Sequence, residues 1–127
     1  MPAANMGGDA IIFFAHGSSV ETANQAVRVV AADAARQAAV DRYDVAFLEL
    51  ASPTLAEAAE QLIATGVERI TVVPYFLTLG IHLQRDLPAI VSRISAAHPG
   101  IQLKVTPPLD GHPGLAAVLA DRARHAL

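Results

Sequence analysis

The chain contains no cysteine. It can therefore form no disulfide bond, and it can use neither a thiolate metal ligand nor a cysteine nucleophile. Proteins of the reducing cytoplasm rarely contain disulfides, so we expect a cytoplasmic location. Any metal chemistry of the side chains must then rest on imidazole and carboxylate groups.

An excess of positive charge and long apolar runs are also missing. The formal net charge is −3 and the pI is about 5.9, which argues against an electrostatic contact with nucleic acid. No apolar run approaches the ~18 residues of a membrane helix, so we expect no membrane partner. Residues 1–9 lack the basic start and apolar core of a signal peptide, and we predict that they form a flexible N-terminus.

Three common catalytic or nucleotide-binding motifs are absent. The sequence has no Gly-x-Gly-x-x-Gly dinucleotide fingerprint and no phosphate loop with Gly-Lys-Ser/Thr. It also lacks the Gly-x-Ser-x-Gly elbow of many hydrolases. Ser18 follows His16 closely, but the sequence identifies no acid that would orient this histidine, so a serine hydrolase is unsupported.

Short apolar strands and amphipathic helices alternate four times along the chain. Strands are predicted at residues 10–15, 43–50, 69–76 and 101–106, the last as a half-exposed edge strand. The alternation predicts an α/β fold with a four-stranded, mainly parallel sheet and helices on both faces. No linker interrupts it, and a length of 127 residues suits a single domain over residues 10–127.

Three helix starts carry local signals for an N-terminus. Ser18 and Glu21 have capping-box spacing, and Ser52 with Pro53 resembles an N-cap followed by proline at the first helical position. The third helix is predicted to open behind Asp86 and Pro88, which leaves the preceding residues in a loop.

Ionisable side chains gather at one predicted edge of the sheet. Ligands of open α/β sheets bind beyond the carboxyl ends of the strands. His16 directly follows the first strand, and Glu49 lies at the end of the second. His82 is expected in the loop after the third strand and His112 in the loop after the fourth. These positions predict a candidate site of three histidines and one carboxylate.

Each of these residues also has an ordinary structural interpretation. His16 could cap a helix, and His112, which precedes a proline, could be an N-cap. Glu49 and His82 could be solvated surface residues. Two further histidines, placed at the other end of the sheet or near the C-terminus, are interpreted as surface residues: His98 and His125.

Imidazole and carboxylate together favour metal chemistry or proton transfer. Imidazole nitrogen suits cobalt, iron, nickel and zinc, and a site with two histidines leaves coordination positions open. The same groups accept protons near neutral pH.

Four segments resemble the CbiX-type sirohydrochlorin chelatases. They are His16-Gly17-Ser18, residues 46–53, residues 73–88 and residues 107–113. The most specific is Phe-Leu-x-x-Gly-x-His-x-x-x-Asp-Leu-Pro, which ends at Pro88. The likeness runs in order over nearly the whole chain from Ala10, and the length matches the short form of the family, half the size of the two-domain class II chelatases.

This resemblance implies an activity and an assembly. It implies a chelatase-like half domain and an enzyme, a lyase, that inserts a divalent metal, usually Co²⁺, into sirohydrochlorin on the route to cobalamin. Insertion of Fe²⁺ or Ni²⁺, or a non-catalytic module that binds metal or tetrapyrrole, is the alternative. The metal would be a substrate, so no permanent cofactor is expected. A homodimer is implied, with the tetrapyrrole held between sheet edges.

The resemblance also implies roles for individual residues. His16 and His82 would handle the metal, His16 would also accept a proton, and Glu49 would help to bind metal or substrate. The residues expected along the macrocycle are Leu77, Thr78, Leu79, Gly80 and Ile81. The chain departs from many relatives at Ser19, where they carry a basic residue, and Arg85 is the only cation that the sequence places at this edge.

Overall fold

The computed structural model describes residues 8–127, so most of the segment expected to be a flexible N-terminus lies outside the described residues. Eight elements alternate along the chain, and the first strand starts at Asp9. The elements are β1 (Asp9–Ala15), α1 (Glu21–Gln37), β2 (Tyr43–Phe47), α2 (Leu55–Ile63), β3 (Arg69–Pro74), α3 (Ile81–Ala97), β4 (Gln102–Val105) and α4 (Pro113–Ala126).

The four strands form one sheet in the order β2-β1-β3-β4. All three strand pairs are parallel, which confirms the predicted α/β fold. Strand β4 pairs only with β3, so it is the edge strand that its alternating sequence predicts. Because every pair is parallel, the loops that follow the strands emerge at one edge of the sheet.

Apolar side chains cover both faces of the central strand β1. On one face, Ile12 and Phe14 are fully buried in the larger core, which includes residues of α2 and α3. On the other face, Ala15 packs with Phe47 of β2 and Ala31 of α1. This double burial explains why β1 has a continuous apolar run rather than an alternating one.

Helix α4 is an exception to this packing. None of its residues is buried, and Val118 and Leu119 are 57% and 70% exposed. The predicted helix is therefore present, but its apolar positions lack the cover that such a stripe normally has. Across residues 8–127 no helix is long and apolar enough to cross a bilayer.

The predicted start of α1 is wrong in its details. The N-cap residue is Val20, which makes no side-chain cap, and the Ser18 hydroxyl oxygen accepts from the backbone N–H of Val20 at 3.0 Å. Glu21 is the first residue of the helix rather than the third, so its carboxylate cannot complete a capping box. It accepts hydrogen bonds from Asn24 and Arg28 instead.

Helix α2 also starts later than predicted. The carbonyl of Pro53 accepts from the N–H of Phe47 at 2.9 Å, which ties this proline to β2 and keeps it outside the helix. The N-cap is Thr54, whose side chain accepts from the N–H of Glu57 at 3.2 Å, while Glu57 accepts from the N–H of Thr54 at 2.9 Å. The capping box is therefore present, two residues beyond Ser52.

Helix α3 starts earlier than predicted, at Ile81 behind the N-cap Gly80, and Pro88 lies inside it. Leu83 and Leu87 are buried at helical spacing before the proline, and their burial keeps this first part helical. His82 consequently lies in the first turn of α3, not in a loop.

Candidate functional site

His16 and Glu49 meet in the loops that follow β1 and β2. The Nε2 atom of His16 lies 3.3 Å from Oε2 of Glu49, and the backbone N–H of Glu49 donates to the carbonyl of His16 at 3.1 Å. The two side chains are 59% and 55% exposed, so the pair is open to a ligand. The structure thus brings together two of the residues that the sequence placed at this edge.

Gly17 permits this close approach of the two loops. Its φ is +92°, in the left-handed region that glycine adopts without strain, and a Cβ atom here would lie 1.8 Å from the carbonyl oxygen of Glu49. On the facing loop, β2 ends at Phe47, and Leu50 has a positive φ, +67°, which turns the chain after Glu49. The strand is therefore three residues shorter than predicted.

The two ring nitrogens of His16 have different neighbours. Both ring nitrogens face oxygen atoms that can accept a hydrogen bond, Nδ1 at 3.1 Å from the carbonyl of Gly17 and Nε2 at 3.3 Å from the carboxylate of Glu49. We consider the neutral tautomer with the proton on Nδ1, which keeps the bond to Gly17. Nε2 then presents its lone pair beside the carboxylate of Glu49. A nitrogen and an oxygen donor at this separation can take up a proton or a divalent cation between them.

His82 lies apart from this pair, after the neighbouring strand β3. Its Nδ1 is 3.4 Å from a guanidinium nitrogen of Arg85, one turn further along α3. Within residues 8–127, no three side chains of His, Cys, Asp or Glu cluster as a ready-made metal site. A metal shared by His16 and His82 therefore stays a prediction.

The loop between β3 and α3 offers an apolar surface next to His16. Leu77 is 65% exposed and Ile81 is 81% exposed, whereas Leu79 packs against the main core. Thr78 and Gly80 are exposed between them.

This loop is held from two sides. The β4–α4 loop donates backbone hydrogen bonds to the carbonyls of Phe76 and Leu77, at 3.0 and 2.8 Å. The side-chain amide of Gln84 donates to the carbonyl of Leu79 at 2.8 Å. The ring of Phe76 is 6.5 Å from the imidazole of His16, centroid to centroid, so the apolar loop directly adjoins the His16–Glu49 pair.

His112, the third predicted histidine of this edge, has a structural role. It is the N-cap of α4, and its Nδ1 accepts from the backbone N–H of Gly114 at 2.9 Å. The capping interpretation of this residue is confirmed.

Sequence reasoning missed Asn24 and Arg28. Arg28 extends from α1 over the ring of Phe47, 5.2 Å from its centroid, and its guanidinium is 3.4 Å from the carbonyl of Ser52. The expectation that Arg85 is the only cation at this edge is therefore wrong. The sequence signal for this part of the site was Asn24, a polar residue among the apolar positions of α1. Asn24 is 3% exposed.

A cavity of about 240 Å³ lies beside the pair. It is lined by the residues of the β1–α1 loop, by the start of α1 and by Tyr75. A larger cavity of about 590 Å³ lies at the opposite end of the sheet, where Asp9 and Arg69 form an ion pair, and no histidine lines it. The His16–Glu49 pair thus lies at the carboxyl edge of the sheet and not at this larger cavity.

Comparisons with known proteins identify the family of this chain. The CbiX family model matches residues 10–126. A sirohydrochlorin cobaltochelatase of Methanopyrus kandleri is 34% identical over 65% of this chain and 57% of its own length. A sirohydrochlorin ferrochelatase of Priestia megaterium is 31% identical over 90% of this chain and 43% of its own length. The chain thus spans about half the length of these curated relatives.

A crystal structure provides a match over the full length of both chains. It is that of a cobalamin (vitamin B12) biosynthesis CbiX protein from Marinobacter aquaeolei VT8. The TM-score is 0.82 at 31% identity, over 93% of this chain and 96% of the other. Since both the family model and this fold cover nearly all of the chain, the chain belongs to the CbiX family.

Proposed function

We propose that this chain is a chelatase that inserts a divalent metal, Co²⁺ in the first place, into sirohydrochlorin. The observation that carries the proposal is the exposed His16–Glu49 pair, which adjoins an exposed apolar loop in a chain of the CbiX family. The pair supplies a nitrogen and an oxygen atom that can bind a proton or a metal ion, and the loop supplies an apolar surface on which a flat macrocycle can lie.

Metal insertion requires two pyrrole N–H groups to lose their protons while the metal loses its water. In the proposed mechanism, Nε2 of His16 accepts one of the two pyrrole protons through the lone pair that it carries when the imidazole proton is on Nδ1, and the other proton passes to solvent, to which the pair is open. The carboxylate of Glu49, 3.3 Å away, then stabilises the imidazolium that forms. Before this step the same two groups can hold the incoming metal, which they must release to four ring nitrogens.

His82 is proposed as the second metal-handling histidine. It lies in the first turn of α3, after β3, the neighbour of β1, so both histidines lie at the same edge of the sheet. The macrocycle is proposed to lie along Leu77, Thr78, Leu79, Gly80 and Ile81, with the exposed Leu77 and Ile81 giving apolar contact.

Cobalt is the first metal to test, and iron the second. The M. kandleri relative is a cobaltochelatase and the P. megaterium relative a ferrochelatase, and imidazole with carboxylate accepts both ions. The metal is proposed as a substrate, with no permanent cofactor. The reaction is proposed to take place in the cytoplasm.

We further propose that residues 10–127 act as one domain and that two copies form a homodimer. The exposed apolar stripe of α4, with Val118 and Leu119, is proposed to pack against the second copy. The pair is open on the monomer surface, and a second wall would help to enclose the tetrapyrrole.

The test is an absorbance assay of sirohydrochlorin with Co²⁺, Fe²⁺ or Ni²⁺. The proposal predicts many turnovers per protein chain, fastest with Co²⁺, at protein concentrations far below that of the tetrapyrrole. A spectral change that stops at one tetrapyrrole per site would instead identify a binding module. A rate no higher than that of metal and tetrapyrrole alone would contradict the proposal.

A further inference from the structure

Asn24 is the one buried polar side chain in the part of the chain that the structure describes, with 3% exposure. It lies in the first turn of α1, directly behind the turn that carries His16. Its amide makes three hydrogen bonds. Oδ1 accepts from the N–H of Ser18 at 3.0 Å, and Nδ2 donates to the carbonyl of Ser18 at 2.9 Å and to Oε1 of Glu21 at 3.1 Å.

Among side chains of this shape, only an amide can make all three hydrogen bonds. Ser18 presents both its donor and its acceptor to residue 24, and Glu21 presents an acceptor. Only one orientation of the Asn24 amide satisfies all three partners. An aspartate would keep the bond to the N–H of Ser18, but it would place a carboxylate against a carbonyl and a second carboxylate.

The contacts continue from Asn24 to the loop of Glu49. Oε2 of Glu21 accepts from Arg28 at 3.0 Å, and Arg28 reaches the carbonyl of Ser52, three residues after Glu49. The hydrogen bonds of Asn24 and then of Arg28 lower the pKa of the Glu21 carboxyl below its ordinary value, so Glu21 is ionised in this arrangement. Asn24, Glu21 and Arg28 thus link the turn of His16 to the loop of Glu49.

We propose that Asn24 is a positioning residue for the His16–Glu49 pair. Its amide fixes the backbone of Ser18, and this sets the direction of His16, whose Nδ1 is bound to the carbonyl of the intervening Gly17. Glu21 and Arg28 extend the same constraint to the Glu49 loop. The catalytic meaning of this role rests on the proposed function, whereas the positioning of His16 can be measured without it.

The test is Asn24→Asp, an isosteric change that replaces the amide donor with a carboxylate oxygen. We expect kcat for Co²⁺ insertion to fall by about tenfold or more, the usual effect of losing a residue that orients a metal-handling side chain. KM for sirohydrochlorin should change by less than about twofold, because the apolar loop that binds the macrocycle is not touched. The ring ¹⁵N signals of His16 should shift in the absence of metal and tetrapyrrole, while those of His98 and His125 stay.

Ala35→Gly is the matched control, because it destabilises the same helix at a buried position away from the turn. It should lower the melting temperature and leave the His16 signals and kcat unchanged. If Asn24→Asp does not fold, Arg28→Met tests the same connection from the more exposed end, and it should shift His16 in the same way.

The two proposals fail in different ways. Unchanged His16 signals and unchanged kcat in folded Asn24→Asp, or in Arg28→Met, would overturn the positioning role. If the wild-type protein inserts no metal into sirohydrochlorin, the proposed function fails. A shift of the His16 signals in Asn24→Asp would still support the positioning role in that case.

Discussion

At the scale of single residues, the contact between the loops of His16 and Glu49 depends on Gly17. Gly17→Ala should destabilise the protein far more than Gly66→Ala, although both residues have a similar φ, +92° and +97°. A Cβ at Gly17 would meet the carbonyl of Glu49 at 1.8 Å, whereas Gly66 has no atom within 4 Å. We expect Gly66→Ala to cost only the backbone strain of about 1–2 kcal/mol. Equal losses in thermal melts of the two variants would contradict this account of the contact.

A second prediction at this scale concerns Glu21 and the effect of pH on the stability of the fold. Its carboxyl has a lowered pKa in the folded protein because Asn24 and then Arg28 donate hydrogen bonds to it. The ionised form therefore stabilises the fold above the ordinary pKa of 4.5, and this contribution is lost as the pH falls through the lower folded value. Wild type should melt above Glu21→Gln at neutral pH, and the gap should close in acid. A difference in melting temperature between wild type and Glu21→Gln that stays constant with pH would contradict a stabilising role of the ionised Glu21.

At the scale of elements, the strands and the site edge were predictable, whereas the starts of α1, α2 and α3 were not. Continuous or alternating apolar residues identify strands well, and a parallel sheet then places His16, Glu49 and His82 at one edge. The starts of helices depend on hydrogen bonds made by the tertiary structure. One example is the bond from the N–H of Phe47 to the carbonyl of Pro53, which excludes that proline from α2.

The prediction at the scale of elements concerns the proline inside helix α3. Pro88 lies inside the helix and removes the backbone donor that would bind the carbonyl of Gln84. Pro88→Ala restores the donor and should raise the free energy of unfolding by about 1–3 kcal/mol. Pro99→Ala, outside the helix, should instead lower it slightly, because the unfolded chain gains freedom. Denaturant unfolding measures both signs, and a loss of stability in Pro88→Ala would contradict the interpretation.

At the scale of the whole molecule, the exposed stripe of α4 is a feature that packing within a single copy does not explain. We predict a dimer by light scattering, and a monomer for Leu119→Asp, which places a charge at a position that is 70% exposed in one copy. Ala117→Asp, on the opposite side of the same helix, is the control and should remain dimeric. Metal insertion should fall with dissociation. A stable, fully active wild-type monomer would contradict the dimer.

The central claim is that two histidines at one edge of the sheet, His16 after β1 and His82 in the first turn of α3, act together in metal insertion. The direct measurement is the rate of Co²⁺ insertion into sirohydrochlorin by His16→Ala, His82→Ala and the double variant, with His98→Ala as the control at the other end of the sheet. Each single change should lower the rate by about a hundredfold or more, and the double variant should be little slower than either, because groups that act as a unit are not additive. His98→Ala should retain the wild-type rate. Full activity of His82→Ala, in a protein that melts like the wild type, would contradict the account.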